Sequence, residues 1–453
     1  MEKISVPSLL KHISSRFTSA GFKVYLVGGA VRDIFLDRQA GDWDIATNAT
    51  PDEVKTLFHH IIPTGIDHGT VTIPFKGMMI ECTTFRTETG YSDGRRPDGV
   101  QYTATIEEDL SRRDFTMNAI AVSLPDGIIV DPFHGRADIK SKIIKTVGDP
   151  TERFTEDGLR PIRAVRFSSQ LDFTIDGQTL DAIRPALGIT ASVAKERIRE
   201  EFNRILLSQK PSTALRFMEQ TGLLALIFPE LQNCRGIEQK GMHIYDVLDH
   251  LFQACDASPR TNLIVRLAAL FHDVGKPDVR VEDGNGSWTF FNHEKVSAKK
   301  THEILTRLRY PLRVIKDVTH LVSLHMFHYE PVWSDAAVRR FIVKADKTMI
   351  DSLFELRKAD SYAITGTAGH ARYLEEFRDR IDAMIEAEHA FTLKDLAING
   401  RDLADIGIPS GPITGVVLNE LLEAVIEDPD LNTKSALLDI AREIHSQKIQ
   451  TPD

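Results

Sequence analysis

The segment Val24-Tyr25-Leu26-Val27-Gly28-Gly29-Ala30-Val31-Arg32-Asp33-Ile34-Phe35-Leu36, followed closely by Gly41-Asp42-Trp43-Asp44-Ile45-Ala46-Thr47, decides how the N-terminal third folds. Its opening apolar run reads as a strand, and the apolar residues at helical spacing after the glycine pair read as a helix. Glycines at such a junction let the backbone approach a phosphate, and exposed N–H groups at a helix start favour negative charge. No Walker lysine motif is present, so the turn by itself reads first as a tight turn for packing.

Asp42 and Asp44 flank Trp43, and on a strand the period of two points both carboxylates to one face. Side-by-side carboxylates repel unless a proton or cation sits between them, and an oxygen-rich pair suits Mg²⁺ shared with substrate phosphates. A glycine strand-turn-helix with Asp-x-Asp on the next strand resembles a polymerase-β-like nucleotidyltransferase head. Further strand-like runs, Val71 to Phe75, Met78 to Thr84, Ala119 to Leu124 and Ile128 to Val130, supply a mixed sheet with helices over residues 1–148. After Gly148-Asp149-Pro150 the pattern turns to helical periodicity. The expected class is α+β, a small mixed head followed by an all-α remainder.

A length of 453 residues predicts several domains, and 42% hydrophobic with 26% charged residues excludes a disordered or fibrous chain. The longest apolar run, Leu223 to Phe228, is far shorter than the roughly 20 residues a bilayer requires. With no signal-peptide pattern at the start, the expected location is the cytoplasm. Cys82, Cys234 and Cys255 have no CxxC spacing, which predicts buried reduced thiols rather than a zinc cluster. A net charge of −10 disfavours nonspecific polyanion binding but leaves room for a local cationic groove.

Four further motifs follow in order: Arg112-Arg113-Asp114-Phe115-Thr116-Met117-Asn118-Ala119; Asp131-Pro132-Phe133-His134-Gly135 with Asp138; Glu156-Asp157-Gly158-Leu159-Arg160-Pro161-Ile162-Arg163-Ala164-Val165-Arg166-Phe167; and Lys195-Glu196-Arg197-Ile198 with Glu201. Together with the Gly-Gly and Asp-x-Asp signatures they resemble the bacterial-type (class II) tRNA nucleotidyltransferase and poly(A) polymerase family. The resemblance implies that Asp42 and Asp44 are catalytic ligands of Mg²⁺, with Glu81 a candidate third carboxylate. It also implies nucleotide contacts from Gly28, Gly29, Arg32, Arg112, Arg113 and Asn118. Guanidinium forks match phosphate oxygens, and an amide can bond a sugar hydroxyl. The Gly-, Asp- and Arg-rich stretch Arg86 to Val100 reads as a loop, one that in the family helps the switch between nucleotides.

Cytosine and adenine each present an amine donor beside a ring-nitrogen acceptor, whereas guanine and uracil present the opposite order. One carboxylate and one guanidinium can read this difference, and the resemblance assigns that role to Asp157 and Arg160. Gly158 and Pro161 stand where a single helix carrying both residues on one face should be uninterrupted, so a late start or kink is expected. Arg163 and Arg166 continue the spacing, either as support for the template or lining an RNA-facing groove.

Farther on, His250, then Phe271-His272-Asp273-Val274-Gly275-Lys276-Pro277, His293-Glu294, His320, His325 and Asp360, stand in the order of an HD phosphohydrolase domain. Mixed nitrogen and oxygen ligands suit a divalent metal of unassigned identity. Resemblance implies His250, His272, Asp273 and Asp360 as core ligands, with His293 and His325 as auxiliary ligands or phosphate contacts. The tail segment Ile398-Asn399-Gly400-Arg401-Asp402-Leu403 resembles the family's RNA-holding body. The expected domains are a nucleotidyltransferase head (1–148), a helical neck with the template motif (149–225), an HD-like domain (226–375) and an RNA-binding tail (376–453). The expected activity is Mg²⁺-dependent, template-independent addition of C, C and A to a tRNA 3′ end from CTP and ATP. An A-adding or poly(A) enzyme of the same family, or an HD phosphohydrolase with a non-catalytic head, are the alternatives.

Overall fold

The computed structural model describes residues 3–39, 41, 43–66, 69–89, 99–239, 243–284, 288–366, 371–387 and 391–450. Asp42 and the centre of the expected switching loop, 90–98, lie outside the described residues. Contacts divide the chain into two units, Met1–Asn233 with Ile304–Tyr310, and Cys234–Glu303 with Pro311–Asp453.

In the first unit the chain runs α1 (Ser8–Ser19), β1 (Val24–Val27), α2 (Gly29–Phe35), β2 (Trp43–Thr47), α3 (Pro51–Leu57), β3 (Ile62–Gly65), β4 (Thr70–Phe75), β5 (Met78–Thr84), β6 (Arg86–Thr89), β7 (Gly99–Tyr102), α4 (Ile106–Ser111), β8 (Ala121–Ser123) and β9 (Ile129–Val130). Leu10, Ile13 and Phe17 recur at helical spacing and are buried, each contributing about 1.5–3 kcal/mol of apolar burial. Seven strands form one sheet in the order β3-β4-β5-β2-β1-β8-β9. Its neighbours pair antiparallel except β2 and β5, which are parallel. Val27, Ala46, Phe85, Leu110 and Ala121 pack together in one core cluster of this unit.

Helices then dominate: α5 (Gly135–Ser141), β10 (Ile143–Ile144), α6 (Pro150–Glu156), α7 (Arg160–Leu171), β11 (Thr174–Ile175), α8 (Gly177–Asp181), α9 (Leu187–Ser192), α10 (Lys195–Leu206) and α11 (Pro211–Thr221). The expectation of an all-α remainder needs correction at two places. Left-handed Asp172 ends α7 and returns the chain so that β11 pairs in parallel with β10. In the second unit Val281–Glu282 pairs with Trp288–Thr289 as a small hairpin. The loop expected over Arg86 to Val100 is also strand at both ends, where β6 and β7 pair antiparallel from Arg86↔Tyr102 to Thr89↔Gly99.

Gly158 and Pro161 act as the sequence suggests. Asp157 caps the end of α6 in an extended conformation, and α7 begins at Arg160 with Pro161 in its first turn, where a missing N–H costs nothing. A Cβ on Gly158 would stand 2.7 Å from the Ile189 carbonyl oxygen, so glycine is needed for α9 to approach.

The second unit is built from helices that include Val247–Ala257, Leu263–Phe271, Leu312–Leu324, Asp335–Ala345, Ile350–Thr365 and Ala371–Glu386. Toward the C-terminus, Gly400–Asp405, Pro412–Glu427 and Lys434–Gln450 close over Leu403, Val417, Leu421 and Leu437. No helix among the described residues is long and apolar enough to cross a membrane.

Candidate active site and a second, histidine-rich centre

Sheet register brings the head's acidic residues together. Val27, Asp44 and Glu81 are neighbours across β1, β2 and β5, so Asp44 and Glu81 stand side by side on one face. Gly28, at φ +73°, leaves the room they need: a Cβ there would stand 3.2 Å from Asp44 Oδ2 and 3.4 Å from Arg113 Nη1. Oxygen donors beside guanidinium groups make a donor set that fits Mg²⁺ carrying a phosphate.

Asp44 and Glu81 line a cavity of about 340 Å³ whose other walls carry Arg86, Arg112, Arg113, Asp157, Arg160, Arg163 and Arg197. Candidate ligands for a polyphosphate and candidate readers of a base therefore face one space, although β2, α4 and the α6–α7 junction are distant in sequence. Arg32 and Asn118 are not among the lining residues; they bond each other, Arg32 Nη1 donating to Asn118 Oδ1 at 3.0 Å. Asn118 Nδ2 in turn donates to Asp114 Oδ1 at 3.1 Å.

Asp114 joins the head to α7, accepting from Arg163 Nε at 2.9 Å and Nη2 at 2.6 Å. Burial alone would raise this carboxyl, but the Arg163 charge and the hydrogen bonds from Asn118 and Arg163 outweigh it and hold it at about 2. Arg166 points elsewhere. It is buried, donates to Glu201 Oε2 at 2.5 Å and bonds Gln170, and burial pulls its guanidinium down to about 10 despite the Glu201 charge. Arg163 lines the cavity, and Arg166 is not among its lining residues.

Both base-reading candidates have partners. Asp157 accepts from Arg197 Nη2 at 3.0 Å and Nη1 at 3.4 Å, across from α10. Arg160 donates to Glu156 Oε2, to the Arg153 carbonyl at 2.8 Å and to the Arg112 carbonyl at 3.1 Å. In the sequence Glu156 and Arg197 stand only as parts of motifs; Glu156 meets Arg160 locally, four residues apart, whereas the pairing of Arg197 with Asp157 depends on α10 packing on α7.

In the second unit His250, His272, His293, His325, Asp273 and Asp360 converge, all buried. His250, His272 and Asp273 each offer one ligand atom within 4.8 Å of the others, and so do Asp273, His293 and His325. Asp360 Oδ1 lies 3.2 Å from His250 Nε2 and 3.5 Å from His272 Nε2. Nδ1 of His272, His293 and His325 lies 2.9, 2.8 and 2.7 Å from a backbone carbonyl oxygen. A carbonyl only accepts, so each Nδ1 carries a hydrogen and each Nε2 is turned inward. The Nε2 atoms of His293 and His325 are 3.2 Å apart. Two neutral rings so arranged oppose bare lone pairs, which calls for a proton or a cation between them.

The acids reinforce that demand. His272 and Lys276 beside Asp273, and His250 and His272 beside Asp360, overcome burial and hold both carboxyls well below the usual range. The same two carboxylates overcome burial at His272 and push it up to about 10, whereas burial lowers His325. Lys276 Nζ bonds Asp273 Oδ2 at 2.6 Å, and Arg357 Nη1 bonds Asp360 Oδ2 at 2.9 Å. Neither neighbour was singled out from sequence, although each lies three residues from its acid, a helical ion-pair spacing. His320 is not part of the cluster; its Nε2 meets the Ala345 carbonyl at 2.9 Å.

Residues 24–145 match the poly(A) polymerase head domain, 172–234 the RNA and SrmB- binding site of polymerase A, and 279–441 the tRNA nucleotidyltransferase domain 2. The last of these overlaps the stretch expected as HD-like. Sheet, cavity and head match define a nucleotidyltransferase of the poly(A) polymerase head class. The chain is 33% identical to the CCA-adding enzyme of Limosilactobacillus reuteri over 435 residues, 95% of each chain. It is 34% identical to that of a Geobacillus species over 419 residues, 92% of each. Its fold matches the Bacillus stearothermophilus CCA-adding enzyme in complex with CTP at a TM-score of 0.73 and 28% identity, covering 98% of this chain and 100% of that one. The chain belongs to the family of CCA-adding enzymes.

Proposed function

We infer that this chain is a CCA-adding tRNA nucleotidyltransferase that adds C, C and A to a tRNA 3′ end from CTP and ATP without a nucleic-acid template. The observation that carries the reading is the single cavity shared by Asp44, Glu81, Arg112 and Arg113 just after α4, and the Asp157/Arg160 pair. The RNA 3′-oxygen bonds to the α-phosphorus of the nucleotide, the bond from that phosphorus to the bridging oxygen breaks, and pyrophosphate leaves. Asp42 and Asp44, with Glu81 as a third candidate carboxylate, would hold Mg²⁺, which would activate the hydroxyl and neutralise phosphate charge.

The chain's own groups do the positioning. Arg112 and Arg113 meet the triphosphate, and Gly28 keeps the backbone clear of the carboxylate. Asp157 accepts from the exocyclic amine of cytosine or adenine while Arg160 donates to the ring nitrogen. UTP and GTP then leave buried Arg160 and half-buried Asp157 mismatched, at about 1–3 kcal/mol for a fully desolvated group. In this reading Arg163 braces the junction through Asp114, and Arg166 acts from the helix interior through Glu201. The helical body beyond the neck holds the tRNA, and the compartment is the cytoplasm, in keeping with three buried cysteines.

The test is nucleotide addition to tRNA ending before CCA, at C and at CC, with CTP and ATP alone and together. Addition of A alone, whatever the end, identifies an A-adding enzyme instead. A second reading is favoured by the opposed Nε2 atoms of His293 and His325: the second unit holds divalent cations on both sides of Asp273 and hydrolyses phosphate esters. Metal analysis of the purified chain tests it.

A further inference from the structure

Asp109 lies on α4 with its carboxylate wholly buried, at 0% exposure, and both of its oxygens are engaged. Oδ1 accepts from Arg112 Nε at 3.0 Å, from Arg112 Nη2 at 2.8 Å and from the Arg86 backbone N–H at 3.4 Å. Oδ2 accepts from Arg113 Nη2 at 3.3 Å. A buried carboxylate of this kind is costly unless it is paired, and here two guanidinium groups pair it. Both guanidinium groups also border the cavity that holds Asp44, and Arg113 shares with Asp44 the space that Gly28 leaves open.

The same turn reaches the other end of the cavity. The Arg112 carbonyl accepts from Arg160 Nη2 at 3.1 Å, so a displacement of Arg112 is felt by the base-reading guanidinium. Arginine side chains carry much rotamer freedom, and a fork already seated on a carboxylate has lost that freedom before a phosphate arrives.

We propose that Asp109 is a positioning residue for nucleotidyl transfer: it sets the Arg112 and Arg113 forks toward the triphosphate of the incoming nucleotide and, through the Arg112 carbonyl, steadies Arg160. The inference rests on the functional reading above. It makes the affinity advantage of a triphosphate over a monophosphate depend on a residue that touches neither.

The experiment compares binding of CTP and CMP to the full-length chain with Mg²⁺ by calorimetry, for wild type, Asp109→Asn, the Arg112→Ala/Arg113→Ala pair, and all three changes combined. Asp109→Asn is expected to lower the CTP-to-CMP affinity ratio about 10-fold, as loss of a charge-assisted grip implies, and to have little further effect in the double-alanine background. An unchanged ratio, or an equal effect in both backgrounds, overturns the proposal, since a merely structural role weakens both ligands alike. If Asp109→Asn does not fold, Arg112→Lys breaks the same grip from the other side while keeping the charge. It must then lower the ratio, and an unchanged ratio is again fatal. A wild-type chain that adds neither CTP nor ATP to tRNA refutes the functional reading instead of this one.

Discussion

Replacing Arg160 with alanine isolates base reading from the rest of the reaction. Arg160 is 8% exposed and donates to Glu156, Arg153 and Arg112, but Glu156 keeps Arg153 Nη1 at 2.8 Å when Arg160 is truncated. No buried carboxylate is orphaned, so the α6–α7 junction is expected to survive. The lost interaction is a charged donor to the ring nitrogen of cytosine, worth about 1.5–3 kcal/mol, or about 10- to 150-fold in kcat/KM. UTP opposes an N–H to the same guanidinium and gains nothing from it, so its rate should change little. Single-turnover addition to tRNA lacking CCA, with CTP and UTP in parallel, reads the ratio directly. It should fall by at least about 10-fold while tRNA affinity holds; a ratio equal to wild type removes Arg160 from base selection.

Asp44→Ala should abolish incorporation of both CTP and ATP while filter binding of tRNA persists, and residual CTP addition above about one part in a thousand contradicts its place as a ligand. On the second reading, His272→Ala combined with Asp273→Ala should lower the divalent-metal content of the purified chain and remove any phosphate hydrolysis it shows, leaving nucleotide addition intact; metal content equal to wild type refutes the centre. Asp114 has a folded value of about 2 against an ordinary 3.8, so its contribution is full above the ordinary value and is lost as pH falls toward 2. Asp114→Asn should therefore remove about 2 kcal/mol of stability near neutrality and flatten the acid-unfolding curve below pH 4, and an unaltered slope there contradicts the Arg163 pairing. Burial raises the thiols of Cys82, Cys234 and Cys255, the last to about 12. A disulfide reagent at pH 8 should label them only after denaturant is added, and rapid labelling of the native chain counts against this core.

Legibility followed the range of the interaction. The glycine turn after β1, Asp44 on a strand and the apolar stripe of α1 rest on periods of two and 3.6 residues, which neighbouring side chains set by themselves. The break between Asp157 and Arg160 was foreseeable because Pro161 and Gly158 act on their own backbone. The β6–β7 pairing was missed because its turn chemistry, rich in glycine and aspartate, outweighed the short Thr87 and Val100-to-Tyr102 strand signals. The surroundings of Arg166 were not legible for another reason: its spacing from Arg163 does not show that Glu201 on α10 meets its guanidinium.

By itself the sequence determined the head's strand-turn-helix, the order of its motifs and the residue types able to hold magnesium, phosphate and a base, since these depend on local backbone preference and side-chain chemistry. Only the tertiary structure decided that Asp44 stands beside Glu81, that Asp157 is held by Arg197, and that four imidazoles converge with the carboxylates of Asp273 and Asp360. Those partnerships join residues dozens to more than a hundred positions apart. Their energies depend on burial and on distances of a few ångströms, which no local pattern encodes.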